Sequence, residues 1–273
     1  SGPIALTLKG TVEDVPVDRV RRYWPRAWGT DVYDWCTSHL SGGILKQVSI
    51  ETRILEVGDG RFEVVSLTGG MIIEGIAIAF LEAMPRAENV DATASFGLRR
   101  LDIAIGKGSI KGLRLDEGTI AISGLDVVDQ IADIEIRAHG PLRDALALID
   151  HEPVRFASEL GFTPAKIEGT TETHLRIKFL AQKGLTFENI GISATSSMRG
   201  VAARDVFGFL DVHHGTLHLE ANNEGMDVQG DVVIGTIPAE WGPIVLQDVR
   251  LSSTSLSGTL PASPARNVAR CTS

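Results

Sequence analysis

LRRLDIAIGKGSIKGLRLDEGTIAISGLDVVDQIADIEI, residues Leu98–Ile136, carries the clearest strand signal in the chain. Within it Leu101, Ile103 and Ile105 alternate with Asp102 and Ala104. Leu113 and Leu115 flank Arg114, Ile120 and Ile122 flank Ala121, and Ile134 and Ile136 flank Glu135. A period of two sends successive side chains to opposite sides of a pleat. The stretch therefore predicts short consecutive strands with their branched apolar side chains gathered on one face. Such a face has to be covered, and few segments of the chain read as helices that could cover it.

The same signal continues on both sides. Ile4–Val12 reads as a strand, followed by Val48, Ile50 and Ile54, by Phe62–Leu67, by Ile72–Phe80 and by Val90–Phe96, with a turn at Gly58-Asp59-Gly60. Towards the C-terminus come Leu175, Ile177 and Phe179, then Leu185, Phe187, Ile190 and Ile192. Leu217 and Leu219 follow, then Met226 and Val228, then Val232–Ile237. Two helix pairs interrupt the series. Pro16 opens Val17–Tyr23, Trp24-Pro25 stops it, and Thr30 is the expected N-cap of Asp31–Leu40, which ends at Gly42-Gly43. Pro141 opens a second pair, Pro141–Ile149 and Val154–Leu160. Strands, helix pair, many strands, helix pair and more strands predict a mainly β protein. The expected fold is a long antiparallel sheet with short helical insertions, not a βαβ series.

Composition narrows the function. Apolar residues make up 43% of the 273, enough for a sizeable core. The net charge of −9 argues against a nucleic-acid partner, which needs a basic face. Cys36 and Cys271 do not make a disulfide framework. The longest apolar run, Gly75–Leu81, is bounded by Glu74 and Glu82 and is too short to span a bilayer. The chain begins Ser-Gly-Pro without an initiator methionine and reads as part of a longer protein.

Motifs for chemistry are missing where they would be expected. Gly106-Lys-Gly108-Ser-Ile-Lys-Gly112 is glycine-rich but leads into a strand, so it reads as a strand-to-strand turn and not a phosphate loop. His214 and His218 would point the same way on a strand but lie ~13 Å apart, too far for one metal ion. Asp126, Asp129 and Asp133 do not have calcium-loop spacing. There is no nucleophile elbow and no Cys–His motif. Accordingly no catalytic residue, metal ligand or cofactor is expected. Tyr23, Trp24, Trp28, Tyr33 and Trp35 form the densest aromatic cluster and read as the packed seam between two short helices.

Several of these residues fall into an order that resembles the central domain of bacterial YhdP-type proteins in the AsmA-like superfamily. They are Pro16-Val-Asp18, Tyr23-Trp24-Pro25, the Trp35 helix ending at Ser41-Gly42-Gly43, and Pro85 before the strands around Phe96 and Leu101. Gly108 and Gly112 follow, then Gly140-Pro141-Leu142-Arg143-Asp144-Ala145-Leu146, His151-Glu152-Pro153-Val154, and Gly169 before the Leu175 strand. The likeness runs from Ile4 to Pro238. Arg61–Leu81 is more hydrophobic than such a domain would lead one to expect, and the tail after Trp241 no longer follows it. Residues 1–242 are therefore expected to form one groove segment of a longer protein, and 243–273 one further strand and a loose Ser- and Pro-rich tail.

The resemblance implies a sheet curled into a groove with an apolar interior. It implies a role in passing phospholipid between the inner and outer membranes of a diderm bacterium, in the periplasm. The inner-membrane anchor would lie N-terminal to this segment. It supplies no catalytic residues and names no protein partner. On that reading acyl chains are lined by Leu101, Ile103, Ile105, Leu113, Leu115, Ile120, Ile122, Ile134, Ile136, Leu175, Ile177, Phe179, Leu217 and Leu219. Two other readings fit the same alternation. One is an envelope scaffold whose concave face is filled by the helix pairs. The other is a carbohydrate-active β-solenoid, which the scarcity of aromatic residues and the lack of a carboxylate cluster disfavour.

Overall fold

Val, Ile and Thr crowd a helix but pack well on a pleated surface, so the alternating segments become strands. The computed structural model describes residues 4–23, 30–58, 60–80, 84–127, 129–150, 163–180, 189–206, 210–235 and 244–253. Among these, thirteen strands form a single sheet. They are β1 (Ala5–Pro16), β2 (Leu40–Ser41), β3 (Ile44–Gly58), β4 (Arg61–Ile78), β5 (Ala87–Gly97), β6 (Arg100–Ile110), β7 (Leu113–Ser123) and β8 (Ile131–Pro141). The series continues with β9 (Ile167–Leu180), β10 (Ile190–Val206), β11 (Leu210–Asn222), β12 (Gly225–Gly235) and β13 (Ile244–Ser253). All pairs are antiparallel. Spatial order follows chain order, except that β1 lies beside β3 and the short β2 pairs with the end of β4. With β1 and β13 as its edges the sheet is open, a curled groove and not a barrel.

The mainly β architecture read from the sequence is the one observed, with differences of detail. β1 extends to Pro16, beyond the expected end at Val12. The segments 62–67 and 72–80 are one continuous strand, β4. Gly69 does not break it, because Gly69 pairs with Ile50 and Phe96 and the Phe96 ring lies over the place its side chain would fill. The expected extra strand around Val245–Leu251 is β13, paired with β12 in the same sheet.

The helical insertions are short. Pro16 is followed by a 3-10 turn, Val17–Arg19, and by α1 (Val20–Tyr23). Next comes α2 (Thr30–His39), in which Thr30 is the first helical residue and not a cap. Pro141 is the N-cap of α3 (Leu142–Ile149), where its missing N–H and fixed φ suit a helix start. Trp24 and Trp28, the second helix expected at Val154–Leu160, Leu185, Phe187 and everything after Ser253 lie outside the described residues. No helix among the described residues is long and apolar enough to cross a membrane.

The helices gather at one end of the strands, where β1, β4, β6 and β8 finish, and the core gathers there too. Val17, Ile73, Ile76, Val90, Ile105, Ile110, Leu113 and Leu115 form one buried cluster, and Ala145 and Leu148 of α3 pack on it. Leu142, Ile167, Met198, Val201 and Ala203 form a second, joined by Leu146. Helix α3 therefore seats on both. The most buried large side chain is Val90, 1% exposed.

Candidate functional site

Directly opposed residues of an antiparallel pair share a face, so the register traces rows across the sheet. One row reads Val12, Val48, Met71, Ala94, Ile103, Ile120, Ile134, Ile177, Ile192, from β1 to β10. On one side of it runs Phe96, Leu101, Ile122, Ala132, Phe179, Ile190. On the other runs Ala92, Ile105, Gly118, Ile136, Leu175, Ala194, Ala221, Met226. Two further rows towards the helices hold Gly108, Leu115, Ala138, Thr173, Ser196, Leu219, Val228 and Thr171, Met198, Leu217, Gly230. Apart from Thr171, Thr173 and Ser196, the rows hold only apolar residues and glycine from β1 to β12.

All fourteen residues predicted as lining fall on this face, but not in equivalent surroundings. Ile105, Leu113 and Leu115 are buried in the cluster below α3. Leu101, Ile103, Ile120, Ile122, Ile134, Ile136, Leu175, Ile177, Phe179, Leu217 and Leu219 are half-buried. Among the described residues the face is thus closed at the helical end and only half covered towards the opposite strand ends, where Ala132 alone of its row is buried. At the β1 edge it is more open still: Leu6 and Leu8 are 47% and 49% exposed. Sequence reasoning missed Val12, Val48, Met71, Ala94, Phe96, Ile190 and Ile192 as members of the same face, although each lies in an alternating segment. Tracing them takes the strand register.

Simple alternation would place Leu113 and Leu115 opposite Ile120 and Ile122, since their numbers differ in parity. A bulge between Leu115 and Glu117 adds one residue on β7 and rephases the strand, so that Leu115 sits opposite Ala138 on the apolar side. A similar irregularity near Asp91 and Lys107 brings Ile110 to the same side as Ile105. In β4 the chain bulges between Ile73 and Ile76, with Gly75 at φ 66°. The Gly75 N–H donates to Asp91 Oδ1 at 2.8 Å, and Lys107 Nζ lies 2.8 Å from the other oxygen.

The opposite face is polar, and cross-strand ion pairs run along it. Lys9–Glu51 lie at 3.0 Å, Arg137–Glu117 at 3.1 Å, Arg176–Asp133 at 2.7 Å and Arg250–Asp227 at 2.6 Å, and His174 Nε2 is hydrogen-bonded to Glu135 Oε1 at 2.7 Å. The Arg176 guanidinium holds the Asp133 carboxyl below the usual carboxylate range, and Arg100 does the same for Asp102. Asp91 is lowered by Lys107 and then by the Gly75 N–H. Charge is kept on one side and hydrocarbon on the other.

The other motifs find plain roles. Gly106–Gly112 spans the end of β6 and its turn into β7, with Lys111 at φ 55°. His213 and His214 are exposed, and His218 faces Glu220 at 3.5 Å. Asp126 pairs with Arg99 at 3.1 Å, while Asp133 belongs to β8. No group of three or more His, Cys, Asp or Glu side chains among the described residues could hold a metal ion.

A family model described as YhdP protein matches residues 2–196, which takes in the sheet from β1 into β10. No curated protein and no solved structure matches the chain.

Proposed function

The chain belongs to the YhdP protein family, and we propose that its half-open apolar face shelters phospholipid acyl chains as lipid passes between the inner and outer membranes of a diderm bacterium. The observation that carries this is the row from Val12 to Ile192, apolar at every position and half-buried over the central strands. Nine strands at ~4.8 Å spacing make that row ~38 Å long. One acyl chain spans about half of a ~30 Å bilayer core, so the row accommodates it lying across the strands. Exposing the roughly 30 methylenes of a two-chain lipid to water costs ~0.8 kcal/mol each, roughly 24 kcal/mol in all, so a useful path has to be continuous.

The protein acts here in the periplasm, as part of a longer protein held at the inner membrane by a preceding segment, and no catalytic step is involved. The scaffold alternative requires helices to fill the concave face. Among the described helices, α3 favours it at the helical end, where Leu142 is buried. The test is native mass spectrometry of the full chain purified from a diderm host. Co-purified phospholipid is expected at gentle collision energies. Bare protein, together with no crosslink from a photoreactive acyl chain to Ile103 or Ile177, would overturn the reading in favour of a scaffold.

A further inference from the structure

From β5 to β12 the five rows of the apolar face contain only apolar residues and glycine, with three exceptions that touch one another. Thr171 Oγ1 lies 2.6 Å from Ser196 Oγ, Ser196 Oγ lies 3.0 Å from Thr173 Oγ1, and the two threonine hydroxyls are 3.1 Å apart. Thr171 is 5% exposed and Ser196 7%, whereas Thr173 is half-buried. Thr173 is also two residues along β9 from Leu175, a half-buried member of the adjoining row. The trio thus straddles the boundary between the covered and the open part of the face, with Thr173 on the open side.

Threonine and valine have nearly the same shape and both suit strands, so valine at 171 and 173 would keep the packing. It would also avoid the penalty of taking hydroxyls out of water. Three hydroxyls can satisfy one another in a ring, each donating once, but the ring has no net need to exist in an apolar lining. Its longest contact is the one between Thr171 and Thr173. Opening that contact leaves a relay in which Thr171 donates to Ser196, Ser196 donates to Thr173, and the Thr173 proton is free for an acceptor on the open face. Each bond in such a chain polarises the next.

We propose that the Thr171–Ser196–Thr173 hydroxyls form a polar subsite that accepts the ester carbonyl of a glycerolipid, fixing where the polar backbone of the lipid sits relative to its acyl chains. This rests on the reading that acyl chains occupy the face, and it adds the chemical class recognised: a hydrogen-bond acceptor directly attached to hydrocarbon. An ether-linked lipid of the same chains and headgroup lacks that carbonyl and separates the two ideas.

The full chain is incubated with vesicles holding equal amounts of diacyl phosphatidylethanolamine and its dialkyl-ether analogue, and the bound ratio is read by native mass spectrometry. The ester form is expected to be retained about three- to ten-fold over the ether form, the range of one net hydrogen bond. Thr173→Val is expected to bind as much total lipid with a ratio near one, and Thr173→Ser to restore the preference. Equal retention of the two lipids by the unaltered protein would overturn the subsite while leaving the acyl-chain reading standing. So would a preference that Thr173→Val does not change, which would make the trio a purely structural lock. Failure to retain either lipid would overturn both.

Discussion

Asp91 shows how a single side chain holds an irregular point of the sheet. Asp91 satisfies the Gly75 N–H where β4 bulges and is itself paired with Lys107. Asp91→Ala leaves that N–H without its carboxylate, and a destabilisation of ~1 kcal/mol is expected by urea denaturation, the net worth of such a bond. The acid response follows from the same kind of contact. Asp91, Asp102 and Asp133 all titrate lower in the folded protein than an ordinary aspartate, because of Lys107, Arg100 and Arg176 respectively. Their contribution is complete above the unfolded value of about 3.9 and is lost as the pH falls through the lower folded values. The urea midpoint should therefore hold from pH 7 down to about 5 and drop below about 4. Asp133→Asn should lower the neutral midpoint slightly and shrink the drop by the same small amount, because what the variant lacks at pH 7 is what the unaltered protein loses in acid and exposed ion pairs contribute little. A drop of unaltered size in the variant would assign acid sensitivity elsewhere.

Among the elements, α3 has the largest effect on which part of the face is open. Leu142, 5% exposed, anchors the second cluster, and Ala145 and Leu148 rest on the first. Leu142→Ala should cost ~2–4 kcal/mol. It should also raise amide exchange in α3 and at the start of β9 more than in β6 or β7, whose pairing does not depend on the helix. Uniform loss of protection across the sheet would show that α3 is not a separable lid. How far the elements were legible in the sequence depends on the kind of signal. Pro141 and the spacing of Leu142, Ala145, Leu146 and Ile149 are local, and they gave α3 directly. Every strand of the Leu98–Ile136 ladder was likewise local. The continuity of β4 was not, because Gly69 breaks the apolar run in sequence while the Phe96 ring from β5 closes the gap in space. The shared face of Leu115 and Ile120 was expected from alternation, yet their parity contradicts it. The bulge after Leu115 restores the shared face, and a bulge is set by pairing with β8 and not by the composition of β7. The hydroxyl trio escaped notice for a related reason, since Ser196 is far from Thr171 in sequence and adjacent to it only across the β9–β10 ladder.

For the molecule as a whole, separation of the two faces is the property that matters, because a conduit fails at its worst position and a core fails by its sum. That difference gives a test that the apolar alternation alone does not. Ile177 sits in the central row, opposite Ile134 and Ile192, half-buried and outside both buried clusters. Leu115 lies on the same face but is buried in the first cluster. If the face is only a core, Ile177→Asp and Leu115→Asp are two versions of one injury and differ in degree. If lipid tails run along the central row, the two part company. Leu115→Asp buries an unpaired charge and should destabilise by ~3–5 kcal/mol or prevent folding. Ile177→Asp keeps access to water, so a cooperative transition within ~1–2 kcal/mol of the unaltered protein is expected. Yet it places a carboxylate in the path of the chains and should cut retained phospholipid at least about ten-fold, the factor that a ~1.4 kcal/mol penalty supplies. Isosteric Ile177→Val should keep both stability and lipid. A folded Ile177→Asp protein that carries phospholipid at the unaltered level would remove the central row from the path.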